Sequence, residues 1–116
     1  MKQRRPATLS PARPYRIVFV TAPSRKEGSR LARGILERKL AACVNLIPGI
    51  RSWYWWKRKV ASSREVLLVI KTHSGRLQPL HRWIRENHPY EVPEFLAFET
   101  SHGDARYLQW LLTSLS

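Results

Sequence analysis

Two short stretches of the chain are apolar at nearly every position. Residues 15–22 (YRIVFVTA) and 65–71 (EVLLVIK) are rich in β-branched and aromatic side chains, and apolar residues fall on both alternating faces. Such runs are typical of strands in the middle of a sheet, because a strand with one face in water alternates between apolar and polar residues. The pattern therefore predicts two central strands.

Two further segments are more mixed and predict edge strands. Residues 94–100 form one, and residues 43–47 form the other. After residue 47, Pro48 and Gly49 are expected to bend the second of these strands, and residues 51–56 (RSWYWW) continue it as an aromatic ribbon. Residues 57–63 are predicted to form a basic turn before the next strand.

Helical spacing of apolar residues predicts three helices. Ser24 and Glu27 match a capping box, so the first helix is predicted over residues 25–40. The second ends at the His88-Pro89 pair, because proline disfavours helical conformation in the residue before it. Asp104 is expected to cap a third helix near the end of the chain.

The resulting order is strand-helix-strand-strand-helix-strand with an added C-terminal helix. This order predicts an α+β fold of the ferredoxin-like β-α-β-β-α-β type, in which two helices cover one face of a four-stranded antiparallel sheet. The other face and the aromatic ribbon would be exposed in a monomer. Proteins rarely leave such surfaces uncovered, so we predict self-association.

The domain is predicted to span residues 15–116. Residues 1–14 contain three prolines, no acid and little apolar surface, so we predict a disordered basic tail. Deleting residues 1–13 is then expected to leave stability nearly unchanged.

The chain is strongly basic, with 21 Lys and Arg against 8 Asp and Glu and a formal charge of +13. Residues 1–58 hold 14 of the bases and 2 of the acids. Such charge attracts polyanions without conferring specificity. Cys43 is the single cysteine, which excludes an intramolecular disulfide and favours a cytoplasmic setting. No apolar stretch approaches the roughly 20 residues of a membrane span, so no membrane partner is predicted.

Catalytic signatures are missing from the sequence. It contains no phosphate-binding loop, nucleophile elbow, HExxH or CxxC motif, which favours a binding protein over an enzyme. The alternative is a ferredoxin-like nucleic-acid-binding protein that uses its basic surface. RNA readers of this topology carry a basic-aromatic motif on a central strand, and neither predicted central strand has one.

Several motifs resemble those of the CutA family of divalent-cation tolerance proteins over about residues 15–113. They are residues 40–48 (LAACVNLIP), 53–56 (WYWW), 71–72 (KT), 88–91 (HPYE), 93–94 (PE) and 102–104 (HGD). The resemblance implies a ferredoxin-like subunit, a tight homotrimer and a bacterial cytoplasmic setting. It also implies a role in tolerance to copper and other divalent metals. The chain has Val20 and Asn87 where copper-binding members often carry cysteine and histidine.

Two sets of candidate site residues follow. The metal candidates are Cys43, His88 and His102, of which a Cys43 thiolate would suit Cu(I). Each also has a purely structural interpretation. Cys43 would fill space as a small apolar side chain, His88 would stabilise a helix C-terminus, and His102 would be a turn residue. The pocket candidates are Lys71, His88, Tyr90 and Glu94. No cofactor is predicted to be required, and copper or another divalent cation would bind weakly.

Overall fold

The computed structural model describes residues 7–116, which contain six strands and three α-helices. In chain order these are β1 (Leu9–Pro11), β2 (Tyr15–Ala22), α1 (Arg25–Glu37), β3 (Cys43–Trp56), β4 (Lys59–His73), α2 (Leu77–Asn87), β5 (Leu96–Glu99), β6 (His102–Asp104) and α3 (Ala105–Ser114). A single 3₁₀ turn, Ser74–Arg76, precedes α2. Every helix in the described range is too short or too polar to cross a bilayer.

The main sheet has the strand order β3-β4-β2-β5, and all its pairings are antiparallel. β2 and β4 lie at its centre, as the apolar pattern predicts, and the ferredoxin-like fold is confirmed. One face of these two strands packs with α1 and α2 in the hydrophobic core. The core side chains with no exposed surface are Val18, Val20, Ala22, Leu31, Ile35, Leu68, Ile70, Leu80 and Ile84.

Local capping fixes where the helices begin and end. The Ser24 hydroxyl accepts a hydrogen bond from the Glu27 N–H at 3.1 Å, so the predicted capping box starts α1. The helix ends at Glu37, three residues before the predicted end, because Lys39 adopts a left-handed conformation with φ of 57°. This reversal lets the following Leu40 turn into the core.

The long β3–β4 hairpin differs from the prediction at its turn. The basic turn predicted over residues 57–63 is wrong, because only Lys57 and Arg58 form the turn and β4 starts at Lys59. Both turn residues have positive φ, 50° and 65°. A two-residue turn of this handedness matches the twist of the flanking strands and lets pairing continue to Trp56↔Lys59. The predicted bend is present as a register shift between Ile47 and Ile50.

The segment before β2 also departs from the prediction. β1 pairs antiparallel with β6, and Ala12 has no exposed surface. The Ala12 N–H donates to the Ser101 carbonyl at 2.9 Å, and the Thr100 hydroxyl donates to the Ala12 carbonyl at 2.6 Å. The prediction of a disordered tail therefore fails for residues 9–14, because hydrogen bonds anchor this segment to β6 and to the residues before it. Residues 1–6 lie outside the described range.

The sheet face opposite the helices, called the open face below, is largely apolar. Register places Cys43, Lys71, Ile17 and Phe98 in one row across it, and Asn45, Val69, Phe19 and Leu96 in the next. Its side chains are only partly buried, and Leu96 and Phe98 remain 55% and 46% exposed. A single subunit thus leaves an apolar sheet face uncovered.

Candidate functional site

His88 is held in place by the backbone at the end of α2. Its side chain is buried, and Nε2 lies 2.7 Å from the Thr21 carbonyl oxygen. Nδ1 accepts a hydrogen bond from the Tyr90 N–H at 3.0 Å. Because a carbonyl oxygen can only accept, these partners assign the imidazole proton to Nε2. A metal ion could bind His88 only by displacing one of these hydrogen bonds.

Tyr90 connects this histidine to a buried carboxylate. The two rings lie 4.8 Å apart between centroids, and the Tyr90 hydroxyl donates to Glu65 Oε2 at 2.7 Å. Glu65, at the end of the open face nearest the hairpin, is only 8% exposed. Burial of the phenol, followed by its hydrogen bond to Glu65, raises the pKa of Tyr90. The tyrosine therefore stays protonated at neutral pH and acts as a donor.

Glu94 brings a second carboxyl group close to Glu65. Partial desolvation, followed by repulsion from Glu65, raises the pKa of Glu94. Within residues 7–116, the ion pairs join Arg16 to Glu99 and Arg30 to Glu27, so neither Glu65 nor Glu94 has a basic partner within 4.0 Å. This end of the open face therefore holds two neighbouring carboxyl groups that have no basic partner within the described residues.

The raised pKa of Glu94 leads to a pH-dependent prediction for a subunit kept monomeric. The folded chain holds the Glu94 proton more tightly than the unfolded chain, so the stability contributed by this group falls as pH rises through the shifted pKa. Glu94→Gln should therefore raise the melting temperature at pH 7 and have little effect below about pH 4, where both states are protonated. Glu91→Gln, at an exposed acid of the same loop, is the control. A gain that is the same at every pH would contradict this explanation.

Lys71 and Cys43 lie at the opposite end of the open face. They are direct neighbours across β3 and β4. Lys71 is six residues from Glu65 on β4, which is roughly 20 Å along an extended strand. The Lys71 ammonium instead lies 5.9 Å from the centroid of the Tyr107 ring. The structure therefore brings together His88, Tyr90 and Glu94 of the predicted pocket, while Lys71 is remote within one subunit.

The three metal candidates occupy different parts of the molecule. Cys43 starts β3, His88 ends α2, and His102 is exposed in the small β1–β6 sheet. The described residues contain no group of three or more His, Cys, Asp or Glu side chains placed to hold a metal ion. Val20 is fully buried in the core, and the Asn87 side chain donates to the Trp83 carbonyl at 2.9 Å. Both departures from the copper-binding pattern thus fill structural positions.

The sequence interpretation missed Glu65 as a site residue. The residue begins an apolar run, and its sequence pattern predicts only the start of the strand over residues 65–71. One signal for Glu65 was available. It is an acidic residue in a predicted central strand, on the alternating positions that form the open face. Its partner Tyr90 lies 25 residues away, so no local motif joins the two.

Comparisons with known proteins agree on one family. The family model for the CutA1 divalent ion tolerance protein matches residues 16–114. "Protein CutA 1, chloroplastic" of Oryza sativa subsp. japonica is 46% identical over 101 residues, covering 87% of this chain and 57% of the rice protein. The chain thus spans just over half the length of this plant relative. "Divalent-cation tolerance protein CutA" of Pectobacterium atrosepticum is 42% identical over 99 residues, covering 85% and 90% of the two chains.

Solved structures give the same result. CutA from Synechococcus elongatus PCC7942 superposes with a TM-score of 0.91 at 33% identity, covering 94% of this chain and 96% of that chain. CutA1 from Oryza sativa superposes with a TM-score of 0.86 at 46% identity, covering 90% and 96%. Because the family model covers all but the first residue of the main sheet, together with its helices, the chain belongs to the CutA family of divalent-ion tolerance proteins.

Proposed function

We propose that this protein is a homotrimeric binding and scaffold protein of divalent-cation tolerance, working in the cytoplasm and not as an enzyme. The observation that carries the proposal is the open face, an apolar sheet surface that one subunit leaves uncovered. Burying such a surface against other copies is the main source of stability in an obligate oligomer. The chemistry of tolerance would then depend on sites that the assembly completes.

The two edges of the main sheet indicate how copies would join. β3 pairs only with β4, and β5 pairs only with β2, so each strand has one unpaired edge within the described chain. Joining β3 of one subunit to β5 of the next uses both edges, and it generates a closed ring when the rotation between successive subunits returns to the first. The resemblance to the family gives three subunits for that ring. In this ring of three subunits, the long β3–β4 hairpin would exchange edge contacts with the next subunit.

Charges at the two ends of the open face support the same arrangement. Glu65 and Glu94 form an acidic end without a basic partner in residues 7–116. Lys71, at the other end, has no carboxylate within 4.0 Å in that range. A neighbouring subunit that brought Lys71 to Glu94 would neutralise both groups in a partly dry interface, where such a pair is strongest.

The side chains of the pocket favour binding over catalysis. Both nitrogens of His88 are engaged with backbone groups, so this imidazole is not free to act as a general base. The Tyr90 hydroxyl is committed to Glu65. These groups are better described as a rigid frame around an acidic pocket than as a catalytic set.

The nucleic-acid alternative gains no support. The central strands β2 and β4 lack a basic-aromatic motif on the open face, where RNA readers of this topology stack bases. The rice and bacterial relatives are named for CutA and divalent-cation tolerance.

We expect metal binding to be weak and to depend on the thiol. Cys43 is partly buried on the open face, and its sulfur suits Cu(I), which accepts low-coordinate soft ligands. Cys43→Ser should weaken Cu(I) binding at least about tenfold under reducing conditions, because one soft ligand carries most of the affinity. Isothermal titration with a competing chelator measures the change, with His81→Ala, at a histidine outside the candidate set, as the control. Submicromolar Cu(II) binding that survives Cys43→Ser and is lost in His88→Ala would contradict the assignment.

A further inference from the structure

A groove runs along α1 on the helix side of the main sheet, between the helix and β3. Its volume is about 790 Å³, which lies within the usual range of ligand sites. We call it the α1 groove. Its apolar lining residues are Ala32, Leu36 and Leu46, and its bases are Lys26, Arg30 and Arg33. Because Ala32 and Leu46 are partly buried and the bases are exposed, the groove has an apolar floor and a basic rim.

The α1 groove opens on the side of the sheet opposite the open face. Leu46 shares a row of the sheet with Leu68 and Val20, whose side chains are fully buried beneath the helices. The proposed trimer buries the open face, and its edge contacts use backbone groups in the plane of the sheet. Neither contact requires the side chains that line the groove.

The floor of the groove is apolar surface that its own subunit leaves partly uncovered. Leu36 is 39% exposed, although the preceding residue, Ile35, is fully buried. α1 lies close to β3 at Gly28, where an added Cβ would come within 3.0 Å of Leu46 Cδ1. This close packing fixes the floor in place, so a ligand would meet a preformed surface and little ordering entropy would be lost on binding.

The rim is basic and has few ion pairs. Residues 24–40 contain six bases and two acids. Arg30 is held in position by the Asn87 carbonyl, to which it donates at 2.7 Å. Neither Lys26 nor Arg33 has a carboxylate within 4.0 Å in the part of the chain that the structure describes. Both are therefore available to an anionic ligand.

The combination of floor and rim indicates the kind of partner. A nucleic acid would match the rim, but its phosphates and sugars offer no apolar group to the floor. Residues 1–6 of this chain hold three bases and no acid, so the rim would repel them. A peptide that carries both carboxylates and apolar side chains matches the two parts of the groove together.

We propose that the α1 groove docks an acidic peptide segment of a partner protein. An apolar side chain of the segment would cover Leu36 and Leu46, and its carboxylates would pair with Lys26 and Arg33. The guanidinium of Arg33 can hold a carboxylate through two parallel hydrogen bonds. The carboxylates would lie toward the N-terminal end of α1, because Glu37 repels them at the other end of the groove.

This inference goes beyond the proposed function and does not depend on it. Fluorescence anisotropy of a labelled peptide with the full chain tests it, while the mass of the protein reports separately on the trimer. The probe is a peptide of about 16 residues built from Glu-Glu-Leu-Glu repeats, and the comparison peptide has alanine in place of each leucine. In about 0.15 M salt, the leucine peptide should bind at least about tenfold more tightly, because its side chain enters the apolar floor.

A variant of the floor shows whether this preference arises in the groove. Leu36→Gln should weaken binding of the leucine peptide about fivefold or more and leave binding of the alanine peptide nearly unchanged. Val92→Gln, which removes an apolar side chain that is 85% exposed in a loop, is the control and should change neither peptide.

A variant of the rim separates docking from attraction by net charge. Lys26→Gln with Arg33→Gln should weaken binding of both peptides about tenfold, at about threefold for each ion pair removed. Arg82→Gln with Arg85→Gln removes the same charge from the exposed side of α2, and it should change binding less than about twofold.

Several results would overturn the proposal. The leucine peptide might fail to bind or bind no more tightly than the alanine peptide, or the α2 control could lose as much binding as the rim variant. A changed mass of the Leu36→Gln protein would assign the groove to a contact between copies of this chain. Binding of duplex DNA in place of the leucine peptide, with the same dependence on the rim, would assign it to nucleic acid.

Discussion

We expect Phe98→Asp to be a monomer at micromolar concentrations at which the parent chain is expected to form the proposed trimer. Phe98 lies on the edge strand β5 and is 46% exposed on the open face, so an aspartate there costs a single subunit little. In the proposed trimer the same side chain would be buried against a neighbour. An unpaired buried carboxylate costs several kcal/mol, and the ring would bury three of them.

The control for this variant is Val92→Asp, which introduces the same charge at a side chain that is 85% exposed in the loop before β5. Val92→Asp should keep the mass of the parent, and both variants should keep the same far-ultraviolet circular dichroism. A folded Phe98→Asp protein with the parent's mass would show that the open face is not the contact surface.

Deleting residues 1–13 should lower the free energy of unfolding by about 3 kcal/mol. The deletion removes β1 from its pairing with β6 and removes Ala12 from the core. It also removes three hydrogen bonds to residues distant in sequence, each worth about 1 kcal/mol: Ala12 N–H to Ser101, the Thr100 hydroxyl to Ala12, and Ala105 N–H to Thr8. For a domain of this size the melting temperature should fall by about 10 °C.

Thermal unfolding at one fixed protein concentration measures this effect, since association makes the melting temperature depend on concentration. The control is deletion of residues 1–6 alone, which leaves β1 and its partners in place and should cost much less. A melting temperature unchanged by the longer deletion would favour the sequence-based prediction of a dispensable tail, against the pairing of β1 with β6.

The parts of the fold that the sequence predicts are those marked by side chains. Continuous apolar runs identified β2 and β4 as central strands, and Ser24 and Asp104 cap α1 and α3 as expected. The segment around β1 has no such marker, because backbone atoms and one small alanine hold it in place. The tight turn was missed since Lys57 and Arg58 occupy positions with positive φ that usually favour glycine or asparagine.

The candidate site was predictable only where its residues are neighbours in sequence. His88, Tyr90 and Glu94 share one short segment, and the structure brings them together. The separation of Lys71 from them depends on the length and register of β4, which a short apolar pattern leaves open. Glu65 joined the site through a hydrogen bond to a residue on a distant loop, and its position at the start of an apolar run gave no indication of this partner.

Sedimentation equilibrium of the full chain at micromolar concentration tests the proposed assembly most directly. The subunit mass is 13.6 kDa. Three subunits that cover one another's open faces should give a single species of three times that mass, with no change on moderate dilution. A single species with the mass of one subunit would contradict the proposal that this protein works as a homotrimer.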